Sequence, residues 1–378
     1  MELNRALYGL LESARLWFEE VKSTLLTEGY VQNPKDQCIF NRMIEGKQLT
    51  AAVYVDDVKA SCVIKLFLEN LRDLLREKYG EFKTSFDLQL PYLGCNWDYS
   101  ETGFVSVSQV GMIQDLITNR EKTHLARGTP FTGAPHTPSA PYLYQRSEGS
   151  ELLNDADSAQ FRTDVGTALY IALRTRPDIA GALGEHCKRV KCPTMEDDRK
   201  LDRTIAYLRR TRDKPLRLGC TLPPQVTLSA DASFANRAEM KSTSGACTTF
   251  GTGMFMTMSK QQGINSKSSC EAEIIAASDS MNKPLALRDF LHFQGYAKLP
   301  VVLEQDNQSA IRLFTNGRSN ADATRFIDIR YFWISDYIAR GEVELRYVPT
   351  ADMSADYFTK PVQGAIFDHL VKTVMGSA

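Results

Sequence analysis

The chain has 378 residues, 43% of them hydrophobic, enough to bury two or three domain cores of ordinary size. Lys and Arg number 45 against 46 Asp and Glu, a formal charge of -1, so any nucleic-acid contact must come from local basic faces and not from an overall positive field. No apolar run approaches the ~20 residues that span a bilayer, and the N-terminus lacks a signal-peptide core, so a soluble, intracellular protein is expected.

Residues 12 to 28 place Trp17, Val21 and Leu25 on one helical stripe that stops at Gly29. Leu49 to Val55, Asp56-Asp57 and Val58 to Ile64 predict a β-hairpin with two carboxylates at its tip. A second amphipathic helix carries Phe67, Leu71, Leu74 and Leu75 and ends near Gly80. Tyr92-Leu93-Gly94 and Val105 to Gln109 read as short strands, and Met112 to Ile117 as a helical turn or two. The stretch Arg127 to Glu151 holds Pro130, Pro135, Pro138 and Pro141 among small polar residues, the composition of an extended, poorly packed connector. Residues 158 to 215 are helical by pattern, and a further boundary falls at Pro223-Pro224.

From Val226 onward the pattern is a strand, a hairpin turning at Gly251-Thr252-Gly253, and a helix whose Ser268-Ser269-Cys270-Glu271 fits a capping box. A strand at Val301 to Gln305, a helix from Asn307, a strand at Val343 to Val348 and a last helix from Met353 complete it. Three strands followed by alternating helix and strand predict an α/β layer on a mixed sheet.

Adjacent carboxylates on a rigid turn, as at Asp56 and Asp57, can hold a divalent cation through hard oxygen ligands; Asp also favours solvated turns. Asp231 and Asp306 close strands, while Glu273 and Asp356 lie at the starts of helices. Acids so placed can converge at one edge of a sheet and clamp a pair of cations ~4 Å apart for phosphodiester cleavage. Taken singly, each is also explained by a loop cap or a helix dipole. His124, His136, His186, His292 and His369 are far apart and receive no catalytic role. Trp17, Trp97 and Trp333 read as core residues, and Lys188-Arg189-Val190-Lys191 and Arg209-Arg210 as solvated helix faces. The eight scattered cysteines contain no Cys-x-x-Cys pair and read as reduced thiols.

Several blocks resemble the C-terminal part of copia-type long-terminal-repeat retrotransposon Pol polyproteins. Leu7-Tyr8-Gly9-Leu10 with Arg15-Leu16-Trp17-Phe18, and Tyr54-Val55-Asp56-Asp57, are similar to reverse transcriptase segments. Phe161-Arg162, Val165-Gly166, Leu169-Tyr170 and Thr175-Arg176-Pro177-Asp178-Ile179 resemble the connection region. Lys241 to Gly245, Ser259-Lys260-Gln261, Glu271-Ala272-Glu273, Asp306 to Ala310, Ile327 to Tyr331, Val348-Pro349-Thr350, Ala355-Asp356 and Thr359-Lys360-Pro361 resemble the family's ribonuclease H domain.

The resemblance implies an α/β chain in four parts. Residues 1–126 correspond to a reverse transcriptase palm/thumb fragment of α+β type, 127–151 to the Pro-rich connector, 152–222 to a helical connection region, and 223–378 to a ribonuclease H-like mixed-sheet domain. Tyr54, Asp56 and Asp57 are then a polymerase palm remnant, with both aspartates metal-binding. Asp231, Glu273, Asp306 and Asp356 become the catalytic acids, holding two Mg2+ or Mn2+ ions for cleavage of RNA in RNA/DNA hybrids. Glu273 is preferred to Glu271 because related enzymes carry the acid in an Ala-Glu pair followed by apolar residues. Leu11-Glu12-Ser13-Ala14 departs from the family's Lys-Gln-Ala-Pro, and Arg325-Phe326 and Phe332 stand where Lys-His and His are usual. The abrupt start at Met1 and the want of an upstream aspartate suggest a fragment that hydrolyses but does not polymerise alone. Two other readings stand beside this one: an inactive transposon relic that at most binds nucleic acid, and part of a complete reverse transcriptase with its start upstream.

Overall fold

The computed structural model describes residues 10–147, 149–237, 240–316 and 333–377. Leu7-Tyr8-Gly9, Arg325-Phe326, Ile327 to Tyr331 and Phe332 lie outside the described residues. Two compact units emerge, one formed by residues 1–87 with 286–298 and the other by 88–285 with 299–378.

In the first unit, helix α1 (Leu11–Thr27) precedes strands β1 (Val31–Asn33), β2 (Asp36–Ile44), β3 (Lys47–Tyr54) and β4 (Asp57–Ser61), then helix α2 (Lys65–Tyr79). The strands form an antiparallel sheet in sequence order. Alternation along β3 buries Leu49, Ala51 and Val53, which join Val21 and Leu25 of α1 and Phe67, Leu71 and Leu75 of α2 in one core. Trp17 packs on this core from the predicted α1 stripe, and α2 stops at Gly80, whose φ of 84° no β-carbon would favour. Residues 286–298 complete the unit: Gln48 donates to Gln294 Oε1 (3.2 Å), and Lys35 pairs with Asp289 (3.3 Å).

The second unit opens with β5 (Gln89–Tyr92), β6 (Cys95–Asp98), β7 (Phe104–Ser108) and helix α3 (Val110–Ala126). Of Tyr92-Leu93-Gly94, expected as strand, Tyr92 does end β5, whereas Leu93 and Gly94, at φ 51° and 71°, form the corner of the β5–β6 hairpin. The helix expected for a turn or two runs 17 residues, because its second half is held by polar contacts and leaves no simple apolar period. Helices α4 (Asp155–Arg174), α5 (Ala180–Arg189) and α6 (Met195–Arg210) follow. Asn154 caps α4, and a Thr194–Asp197 capping box starts α6.

Arg120 of α3, fully buried, ties these helices together. It donates to Asp202 (2.6 Å) and Asp198 (2.6 Å) of α6 and to Asp164 (3.2 Å) of α4. The Pro-rich stretch is irregular in backbone, as expected, but it is not poorly packed. Thr137, Ser139, Ala140 and Leu143 are buried, and Arg209 and Arg210, expected on a solvated face, donate to the carbonyls of Phe131, Gly133 and Ala134. Lys188, exposed as expected, and the partly buried Arg189 pair with the buried Glu185 (3.2 and 2.5 Å).

Strands β8 (Leu216–Cys220), β9 (Thr227–Ser233), β10 (Thr243–Thr249), β11 (Gly251–Thr252) and β12 (Met256–Gln261) lead into helix α7 (Ser269–Phe293). Strand β13 (Val301–Gln305), helices α8 (Gln308–Asn316) and α9 (Trp333–Ala339), and strand β14 (Val343–Tyr347) come next. The last helix expected from Met353 is divided into a short α10 (Asp356–Thr359) and α11 (Gly364–Met375). One sheet has the order β11-β8-β7-β6-β5, the Gly251-Thr252 corner having recruited β8. The other, β12-β10-β9-β13-β14, is antiparallel through β9 and parallel beyond it, the mixed sheet that the pattern predicts. A single buried core runs from Ile113 through Ile171, Ile205, Cys247 and Phe358 to Met375, so the α3–α6 helices and the mixed sheet share their apolar faces.

Candidate metal centre

Strand register decides the site. Leu228 of β9 lies opposite Leu303 of the parallel β13, so Asp231 and Asp306, each three residues further on, reach the same end of the sheet on neighbouring strands. Helix α7 crosses β9 on small residues, Ala272 and Ala276 against Ala232, close enough for Glu273 to join them. One ligand oxygen each of Asp231, Glu273 and Asp306 lies within 4.8 Å of the others. Among the described residues this is the one group of three or more potential metal ligands so assembled.

The fourth acid arrives by close approach. Gly245 pairs with Asp231 across β10, and a β-carbon there would stand 2.6 Å from Thr359 Cγ2 and 2.7 Å from the Ala355 carbonyl. Helix α10 therefore lies against the sheet at the one point where the strand has no side chain. Its Asp356 interacts with Asp231, and its Thr359 hydroxyl donates to Asp231 Oδ2 (2.9 Å). Lys360 pairs with Asp356 (2.8 Å), and Thr350 donates to Asp306 Oδ2 (2.7 Å).

Asp231 and Glu273 are each about 5% exposed, and Asp356 is buried. Burial, followed by the charge of Asp356, pushes the Asp231 carboxyl up to about 7. Burial again, then the charges of Asp231 and Asp306, pushes Glu273 up to about 10. Such a cluster suits a hard divalent cation, whose charge offsets both the repulsion and the lost hydration. Glu271 sits elsewhere: it accepts the Lys267 N–H (2.6 Å), and its own N–H donates to Ser268 Oγ (3.2 Å), so it serves the helix start.

In the first unit, Tyr54 and Asp57 form the last β3–β4 pair, leaving Val55 (φ 53°) and Asp56 as the corner. The Trp17 indole donates to the Val55 carbonyl (2.7 Å) and anchors the tip. Tyr54, Asp56 and Asp57 are exposed, with no third carboxylate assembled beside them among the described residues. His124 and His186 hold structural positions, bonded to Asp202 (2.9 Å) and Thr204 (2.9 Å). Burial lowers His186 to about 4.

Sequence reasoning gave no role to Gln305, Thr359, Lys360 or Thr350. Thr350, Thr359 and Lys360 stand in quoted motifs; only the geometry shows which carboxylates they touch.

Residues 1–131 match the family model described as reverse transcriptase (RNA-dependent DNA polymerase). Across 99% of its length the chain is 28% identical to the retrovirus-related Pol polyprotein from transposon TNT 1-94 of Nicotiana tabacum, covering 28% of that protein. It is 30% identical to that from transposon RE1 of Arabidopsis thaliana, again over 99% of the chain and 25% of the relative. Over nearly its whole length the chain is thus similar to the Pol polyproteins of copia-type retrotransposons. It spans about a quarter of the length of these curated relatives. Among solved structures, prototype foamy virus protease-reverse transcriptase aligns with 96% of this chain and 40% of its own, at 13% identity and a TM-score of 0.28, a likeness too low to bear on the fold.

Proposed function

We propose that this Pol chain is a metal-dependent nuclease that cuts the RNA strand of RNA/DNA hybrids at Asp231, Glu273, Asp306 and Asp356. The observation that supports this reading is the convergence of acids from β9, α7, the end of β13 and α10 on one sheet edge. Bound Mg2+ or Mn2+ ions would supply Lewis-acid activation of water and stabilise charge on a phosphodiester. The protein's part is positional. Thr359 orients Asp231, Thr350 orients Asp306, and Lys360 partners Asp356. A hybrid is recognisable through the 2'-hydroxyls of its RNA strand, which a DNA duplex lacks.

Chain extension is assigned no part in this reading. Asp56 and Asp57 form a two-carboxylate corner, and two-metal phosphoryl transfer asks for more. The deciding experiment incubates the full chain with a labelled RNA/DNA hybrid in Mg2+ or Mn2+, beside the same RNA unpaired. Cleavage of the hybrid alone, lost with EDTA, is expected. A folded chain that leaves hybrids of varied sequence intact in both metals favours the relic. Primer extension that disappears in Asp56→Asn would restore a polymerase role.

A further inference from the structure

Gln305 ends β13 with its side chain wholly removed from solvent. Its Oε1 accepts the backbone N–H groups of Asp306 (2.9 Å) and Asn307 (3.1 Å), and its Nε2 donates to Glu273 Oε2 (3.5 Å). Two donors on one oxygen fix which end of the amide faces which way, leaving the nitrogen to face α7. Asn307 closes the rest of the corner by accepting from Ser309 (3.0 Å) and Ala310 (3.1 Å) at the start of α8. The backbone bearing Asp306 and the carboxylate of Glu273 are thus gripped by the same side chain. An apolar residue of equal volume would fill the space but would leave two partly buried N–H groups without their acceptor.

We propose that Gln305 is a positioning residue: it sets the separation of Glu273 and Asp306 and, through it, the affinity of the cluster for a divalent cation. This rests on reading the cluster as a metal centre.

Two measurements on the full chain test it. The first is a double-mutant cycle of unfolding in EDTA using the isosteric changes Gln305→Glu and Glu273→Gln. The Gln305→Glu change keeps the acceptor for both backbone groups but loses the donor, and the Glu273→Gln change returns a donor from the other side. Non-additivity of more than about threefold in the unfolding constant is expected, and additivity within about twofold overturns the proposal. The second is calorimetric titration with Mn2+ of the parent, Gln305→Met and, as control, Gln308→Met at an exposed position of the same corner. Gln305→Met should bind about 10-fold more weakly, and the control should match the parent. In cleavage assays the Mn2+ concentration for half-maximal rate should rise further than the rate at saturation falls. A non-additive cycle with unchanged Mn2+ affinity reduces Gln305 to a packing contact and overturns the proposal. A parent that binds no ion overturns the metal reading and this inference together, whereas metal binding without hybrid cleavage removes only the proposed hydrolysis.

Discussion

Arg176 holds Asp178 through two hydrogen bonds, Nε to Oδ1 at 2.9 Å and Nη2 to Oδ2 at 2.7 Å, with both side chains fully buried. Burial raises the Asp178 carboxyl, but the adjoining guanidinium and the Tyr207 hydroxyl (2.7 Å) outweigh it and hold the group below the ordinary range. The Tyr357 hydroxyl donates to the Asp178 carbonyl (2.8 Å), so this pair joins α4 and α6 to the α10 segment that presents Asp356.

Removing one partner leaves an uncompensated buried charge. Asp178→Ala should cost about 3–5 kcal/mol in denaturant unfolding, and replacing both by apolar residues of similar volume should cost less. Equal losses in the single and double variants would show that the pair is not coupled.

The metal-free cluster should make stability fall with rising pH. Asp231 and Glu273 have folded-state values above their ordinary 3.8 and 4.5, so the folded form retains protons that the unfolded chain has released. Their contribution is full below the ordinary carboxylate range, is lost for Asp231 as pH passes about 7, and declines further for Glu273 toward about 10. In EDTA, Tm should drop between pH 5 and pH 8. Mg2+ or Mn2+ should restore it most at the alkaline end, where protons compete least with the ion. A metal-free Tm that rises over this interval, with no metal response, contradicts the cluster's electrostatics.

Asp306→Asn and Glu273→Gln should each lower hybrid cleavage by about 100-fold or more, since even groups that only orient metal ligands are worth 10- to 100-fold. Glu271→Gln keeps an acceptor for the Lys267 N–H and should cut at the parental rate. The pair Glu271/Glu273 makes a close control, because two acids two residues apart on one helix are separated by role. Loss of cleavage in Glu271→Gln with retention in Glu273→Gln would move the site.

Residues 221–378 expressed alone should lack a cooperative melt by scanning calorimetry, while the full chain shows one. Cys247, Met254, Phe358, Phe367 and Val374 share a core with Ile171, Leu183 and Ile205, and removing those helices bares that face. A sharp transition in the isolated segment would show that the shared core is dispensable.

Much of this site was legible because its signals are local. A carboxylate just beyond an apolar strand, as at Asp306, can be read within a few residues as a candidate, whereas the choice of Glu273 over Glu271 came from the family resemblance. The Tyr54–Asp57 hairpin corner and the glycine stops of α1 and α2 can be read as locally as Asp306. Partners distant in sequence left no such trace. Nothing near Arg120 announces Asp198 or Asp202, and nothing near Arg209 announces the Phe131 carbonyl that turns an expected solvated face into an anchor for the Pro-rich stretch. Gln305 looked like an ordinary strand residue because its importance lies in an oxygen shared by its own neighbours and a nitrogen facing another helix.

Helix α11 supplies Phe367, Leu370, Val374 and Met375 to the core, and the Val374 carbonyl accepts the Met254 N–H (2.9 Å). These residues are made long after α3 to α6, which wait on the ribosome with part of their apolar faces uncovered until α11 has emerged. That interval is long for a nascent polypeptide of this topology, and it makes productive yield depend on what shields those faces in the cell. Slower elongation or depletion of host chaperones should therefore reduce the amount of folded protein before it alters any property of the molecules that succeed.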